Sequence, residues 1–276
     1  MHRFDVRVGP ASFRIGSAWA APIMALADLY RDYPAPDVPD FTVRLEPTRP
    51  WRRWLRPSVA IAGDFTLPEA APLPLAHALL AAEMAMNLQM ALGWRRHLLL
   101  HAAVVERDGR ALLISGESGA GKSTLASLLA ARGWRFLGDE FALLDPATGM
   151  LAPFPRPASL KNASIRLLGD GRWGPLLTGT PKGDIRHRVP DAATIAAMDV
   201  DAAPALVVFP RFGVEAAARE VAPSEAFARL TQASTNYQML GEAGFAALTR
   251  LVRAVPAVAI DYPDTDTAVA LIEERW

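Results

Sequence analysis

Residues 116–123 read Gly-Glu-Ser-Gly-Ala-Gly-Lys-Ser. This run meets the G-x-x-x-x-G-K-[ST] pattern at every fixed position. Glycines allow the backbone to turn so that successive N–H groups point inward at a phosphate chain. A helix N-terminus behind such a loop adds partial positive charge. Gly116, Glu117, Ser118, Gly119, Ala120 and Gly121 form the cradle, Lys122 reaches the outer phosphates, Ser123 binds Mg²⁺, and Thr124 is a spare hydroxyl. Downstream lies an acidic pair, Asp139-Glu140, at the end of an apolar run. One carboxylate of such a pair can bind Mg²⁺ and the other can take a proton from an attacking hydroxyl.

His101 precedes the loop in an apolar stretch, where a histidine is more often a satisfied core residue than a catalytic one. Phosphoryl transfer also needs cations around the transferred group. The candidates are Arg156 and Lys161 in a Pro-rich loop, and Lys182, Arg186, His187 and Arg188 in PKGDIRHRVP. That second segment reads as a mobile lid with Gly183 as its pivot. Arg211 is a weaker candidate.

The elements that must position these residues are legible from periodicity. Arg110–Ser115 is a short apolar strand entering the loop, and Lys122–Ala131 is a helix leaving it, closed by Gly133. Asp108-Gly109 signals a hairpin between Arg110–Ser115 and a strand at His97–Glu106. Further strands are expected at 134–137, 141–144, 205–209 and 257–260, and helices at 223–230, 241–254 and 266–275. Earlier in the chain, Phe4–Val8, Ser12–Ile15, Phe41–Leu45 and Val59–Ala62 read as strands, with a helix over Ala20–Tyr30. In the 46–57 loop, Trp51 and Trp54 stand among Arg49, Arg52, Arg53 and Arg56. The favoured reading is a solvated loop whose indoles cover core; the alternative is a basic-aromatic binding patch.

Composition bounds the rest. The chain has 276 residues, enough for one large or two modest domains, and 51% of them are hydrophobic. Lys plus Arg number 29 and Asp plus Glu number 29, so bulk charge offers no argument for a nucleic-acid partner. No cysteine is present, which excludes thiolate metal sites, disulfides and a cysteine nucleophile. No signal peptide is visible at the start. Residues 73–94 are apolar enough to suggest a membrane span, but His77, Glu83, Asn87 and Gln89 interrupt them, so a buried helix is expected. A cytoplasmic protein with neither membrane nor nucleic-acid partner is expected.

His101-Ala-Ala-Val-Val, the 116–123 loop, the Ala126-x-Leu-Leu-Ala-Ala-Arg-Gly133 helix end and Gly138-Asp139-Glu140 together resemble the HPr kinase/phosphorylase family. The resemblance is close over residues 101–140. Phosphoenolpyruvate carboxykinases share a related core. The phrase Pro153-Phe-Pro-Arg-Pro-Ala-Ser-Leu-Lys161 looks like that of a diverged bacterial branch, which suggests ribosomal peptides as acceptors. The resemblance implies a phosphate-loop, HPr-kinase-like α/β core over residues 97–276, and the periodicity of residues 1–96 reads as a small N-terminal α/β domain.

It further implies ATP on Lys122 and the loop amides, Mg²⁺ on Ser123 with Asp139 and Glu140, and an acidic base, placed on Asp139. His101 would tune the acidic pair, and a homo-oligomer would follow the family's habit. Arg156, Arg186 and Arg188 are the expected phosphate-binding arginines. Three features depart from the family. The second acid is glutamate, no Glu-x-Arg-Gly segment follows, and residues 1–96 do not match the family's regulatory domain. The expected function is an ATP- and Mg²⁺-dependent kinase acting on a hydroxyl, serine by preference, of a peptide or small protein. A metabolite kinase and a non-catalytic nucleotide switch are the alternatives.

Overall fold

The computed structural model describes residues 1–67 and 70–276. It is a mixed α/β protein built on several sheets. The N-terminal part contains β1 (His2–Val8), β2 (Ala11–Ser17), α1 (Ala20–Leu29), β3 (Phe41–Pro47), β4 (Ser58–Gly63), β5 (Leu73–Pro74) and α2 (Ala78–Gly93). The strands pair in the order β1-β2-β3-β4-β5. Only the β2–β3 pair among them is parallel, and α1 is the crossover that a parallel pair requires. The alternation in FDVRV and FTVRL places Val6, Val8, Phe41, Val43 and Leu45 inward, where α1 and α2 cover them.

Next come β6 (Leu98–Leu100), β7 (Ala102–Arg107), β8 (Arg110–Ser115), α3 (Lys122–Ala131), β9 (Arg135–Gly138), β10 (Ala142–Leu144) and β11 (Leu151–Ala152). They are followed by β12 (Ala158–Lys161), α4 (Ser164–Leu167), β13 (Leu177–Thr180), β14 (Gly183–Arg188) and α5 (Ala192–Ala196). The chain ends with β15 (Ala203–Phe212), β16 (Ala217–Glu220), α6 (Pro223–Ala233), α7 (Tyr237–Ala254), β17 (Ala257–Tyr262) and α8 (Thr265–Glu273).

The largest sheet runs β16-β17-β15-β8-β7-β9, with β17, β15 and β8 parallel at its centre. Both faces are buried, which explains why its strands read as continuous apolar runs. Strand alternation sorts them. Val104, Leu113, Val207 and Ala257 face α6 and α7, while Val105, Leu112, Val208 and Val258 face α3 and α8. Asp108 and Gly109 both take positive φ in the β7–β8 turn, as the hairpin reading requires.

The small sheet β11-β10-β6 joins the two halves of the chain. Leu99 and Leu143 belong to the core under the N-terminal sheet, whereas Leu98, Leu100, Ala142 and Leu144 belong to the core under α6 and α7. The N-terminal elements therefore share a core with residues beyond 96, including Phe141, Phe154, Val189 and Ile195.

Three expectations need correction. The strand expected over His97–Glu106 is two strands, broken at His101, whose N–H leaves the ladder to bond Ala233 O at 2.9 Å. The segment PKGDIRHRVP is not a mobile lid. It forms a turn and β14, paired on both sides within the sheet β12-β14-β13. The indoles of Trp51 and Trp54 do not cover core: they are 51% and 75% exposed on a 3₁₀ turn.

The segment Leu75–Gly93 is long and apolar enough by composition to cross a membrane, but half of it is buried against the protein. Its polar groups have protein partners. Glu83 pairs with Arg156, and the Gln89 amide bonds both backbone groups of Phe65.

Candidate functional site

The loop 116–121 leaves the C-terminal end of β8, one of the three parallel strands inside the largest sheet, where open α/β sheets leave a crevice. Gly121 is left-handed (φ 89°) at the N-cap of α3. A Cβ there would lie 2.3 Å from Tyr262 Oη, and that hydroxyl donates to Ala120 O at 2.8 Å. Glycine at 121 thus serves both the backbone conformation and the close approach of β17. Lys122 curls back over the loop, and its Nζ donates to Gly116 O at 2.7 Å and Glu117 O at 3.0 Å. Burial lowers the Lys122 pKa; Glu140 and Asp139 oppose that shift, and Lys161 reinforces it.

The acidic pair follows Gly138, where a Cβ would come within 2.9 Å of Phe154 O. Only a residue without a side chain lets the 154 segment pass so close, and Phe154 N–H bonds Leu137 O there at 2.7 Å. Asp139 is buried, and Ser159 N–H donates to its Oδ2 at 3.2 Å. Burial, and then the neighbouring Glu140, push its carboxyl up to about 7. Hydrogen bonds from the Ser123 hydroxyl and Ser159 N–H, with the charge of Arg156, pull the other way.

Glu140 is more exposed. His101 Nδ1 lies 3.0 Å from Glu140 O and 3.6 Å from its Oε1. A carbonyl oxygen only accepts, so the proton belongs on Nδ1. The break in the strand at His101 is what points the ring here.

These residues open onto a cavity of about 240 Å³. Ser123, Asp139 and Glu140 line it with Lys161 and Lys182. The N-terminal part contributes a wall that the sequence did not suggest: Leu73 of β5, and Leu80, Glu83, Met84 and Asn87 of α2. Tyr262, which holds the loop, and the Ser159 N–H were missed too. Neither carries a signal in sequence, because both act through contacts between distant segments.

The three expected phosphate-binding arginines are not available as a group. Arg156 is buried and bound to Glu83, Asn87 and Tyr30, so its charge is neutralised within the fold. Arg186 donates to Gly174 O and stacks on Trp173. Arg188 donates to Ser127 O and Asp170 O, beside a different cavity behind α3. On β14, Ile185 and His187 face the 240 Å³ cavity, so alternation turns Arg186 and Arg188 away from it. Arg211 pairs with Asp261. Arg156, already paired with Glu83, lines the cavity together with Lys161 and Lys182.

The donor set fits a nucleotide phosphate chain: a glycine loop at a helix N-terminus, an ammonium on the loop carbonyls, and a hydroxyl beside a carboxylate. Among the described residues no group of three His, Cys, Asp or Glu gathers to hold a metal.

A family model described as SynChlorMet cassette protein ScmC matches residues 77–161. That stretch carries α2, the glycine loop, the acidic pair and Lys161. No curated protein matches the chain. Among solved structures, the Hpr(Ser) kinase/phosphatase from Coxiella burnetii aligns over 64% of this chain and 89% of that chain, at 14% identity and a TM-score of 0.29. A superposition that loose carries no argument about activity.

Proposed function

We propose that the protein is an ATP- and Mg²⁺-dependent kinase that phosphorylates a hydroxyl, serine by preference, of a peptide or small protein. The observation that carries this reading is the convergence of Ser123, at the end of the glycine loop, with Asp139 and Glu140 on one cavity. Lys122, Ser123 and the loop amides would hold the phosphates, with Ser123, Asp139 and Glu140 the candidates for Mg²⁺. A bound Mg²⁺ would neutralise charge on the phosphate oxygens.

Asp139 is the base of this reading. A carboxyl held near 7 accepts a proton readily at neutral pH while still being partly ionised. The acceptor oxygen bonds to the γ-phosphorus, the bond to the β-phosphate oxygen breaks, and the hydroxyl proton passes to Asp139. Lys161, whose charge reaches Lys122, and Arg156, whose charge reaches Asp139, are the cations of this reading on the cavity wall. Glu140, steadied by His101, supports the metal side. The apolar wall of Leu73, Leu80 and Met84 suits an acceptor whose hydroxyl is flanked by an apolar residue.

The test is to incubate the protein with ATP, Mg²⁺ and the peptides encoded beside its gene, then weigh the products. One added phosphate, absent with Asp139→Asn, is the expected result. Nucleotide binding with no transfer to any acceptor would overturn the kinase reading in favour of a nucleotide-gated switch.

A further inference from the structure

The turn at residues 49–56 carries four arginines and no acid, in the sequence Arg-Pro-Trp-Arg-Arg-Trp-Leu-Arg. It is a hydrogen-bonded, outward-facing turn. Residues Pro50–Arg53 form a 3₁₀ turn, and Trp54 and Leu55 N–H both bond Trp51 O, at 3.2 and 3.0 Å. The turn is fastened to the body by Trp19 Nε1, which donates to Arg53 O at 2.9 Å. Arg52 closes it by donating to Arg56 O.

What the turn presents is unusual for a surface whose overall charge is zero. Trp51, Trp54 and Leu55 are all exposed, Trp54 at 75%. Arg49 lies over the Trp51 ring and Arg53 over the Trp54 ring. Among the described residues, none of the four guanidinium groups pairs with a carboxylate. Two exposed indoles and a leucine cost free energy in water unless something covers them. Tryptophan bodies sit at the level of lipid headgroups, and clustered arginines are drawn to anionic lipid. A peptide partner would call for a groove or an open strand edge, whereas this tip is a convex turn of one helical step.

We infer that the Arg49–Arg56 turn docks the protein on an anionic phospholipid bilayer surface, with Trp51, Trp54 and Leu55 entering the headgroup layer and the arginines contacting phosphate. This revises the expectation of no membrane partner. It stands apart from the kinase reading, but it has a consequence for it. The turn runs into β4, which pairs with β5, and Leu73 of β5 lines the cavity. Docking would hold the cavity close to the bilayer.

The experiment is flotation of the full chain with vesicles of phosphatidylcholine alone, or with about one-third phosphatidylglycerol. Binding to the anionic vesicles is expected at low salt, and it weakens as salt screens the arginines. Trp51→Ala with Trp54→Ala should lower the bound fraction by about tenfold, and Arg52→Gln with Arg53→Gln by a similar factor. Circular dichroism confirms that these exposed-site variants fold. Equal flotation with neutral and anionic vesicles, or flotation unaltered by both double variants, would overturn the proposal. So would failure to float with the anionic vesicles, and patch-dependent capture of a Glu-Tyr copolymer would then assign the turn to an acidic polypeptide.

Discussion

The glycine loop and the β13–β14 hairpin both border the candidate site, and they became known in different ways. In the loop, function is written in consecutive residues. The strand, the turn and the first turn of α3 are one local unit, so the spacing in the sequence is the spacing in space. In the hairpin, four basic or imidazole residues occur within a short stretch, and the fold separates them. Lys182 sits in the turn and His187 faces the cavity, while Arg186 and Arg188 point to the opposite side. Local spacing predicts position only where the chain does not have to choose a face.

The sharpest way to break this contrast is at the acid pair. Asp139→Asn should lower phosphoryl transfer by ~10²–10⁴-fold while leaving nucleotide affinity within a factor of a few. Transfer at the parent rate would remove Asp139 as the base. Lys122→Ala should weaken both binding and turnover, since its ammonium belongs to the loop itself.

Next in size is the buried pair that holds Arg156 against Glu83 in the cavity wall. Glu83→Gln leaves the Arg156 guanidinium buried without its counter-charge, a change that costs about 3–5 kcal/mol. Thermal unfolding should record a large drop in Tm. If Glu83→Gln instead leaves Tm unchanged, Arg156 is free to turn toward the phosphates as the sequence suggested, and the contrast between loop and hairpin softens.

Lys161→Ala and Arg186→Ala compare the two kinds of cation directly. Lys161 shares the cavity with the acids, so its loss should lower kcat by about 10- to 100-fold. Arg186 stacks on Trp173 away from the cavity, and its loss should leave kcat within about twofold, as for surface positions generally. Equal losses at both would show that the hairpin closes over the site during turnover.

Much of the fold was legible in the sequence. Period-two alternation placed β1, β2 and β3, Val59–Ala62 fell on β4, and the Asp108-Gly109 turn and the Gly133 cap fell where they were expected, whereas β5 lies at the start of the 73–94 run read as a helix. At Gly133 the backbone closes α3 with Gly133 N–H on Ala130 O and Trp134 N–H on Leu129 O. The break at His101 was not legible, because HLLLHAAVVE is apolar on both sides and only the pull of Ala233 O ends the first strand. The contribution of α2 to the cavity was hidden for a similar reason. Leu80 and Met84 read as core residues of an apolar helix, and nothing local says which tertiary surface one edge of that helix completes. Arg156 looked like a free cation because its partner, Glu83, lies on a distant helix.

The last expected effect is the most specific, and it concerns stability rather than rate. Asp139 has its carboxyl pushed up to about 7 by burial and by Glu140, against an ordinary value of 3.8. The folded protein therefore holds this proton more tightly than the unfolded chain does. The corresponding stability is fully present below pH 3.8 and is lost as the pH rises through 7. Asparagine cannot ionise, so Asp139→Asn should match the parent in Tm near the acid end, exceed it increasingly as the pH rises to about 7, and keep a constant lead above that. The gap should reach on the order of a few kcal/mol. A gap that stays constant with pH would mean that Asp139 is ionised and well solvated in the fold, and that its place on the buried side of the cavity is wrong. A gap that opens as expected would tie the activity lost by this variant to the same buried charge that destabilises the parent, which is the pattern expected when a carboxylate is kept for proton transfer and not for packing.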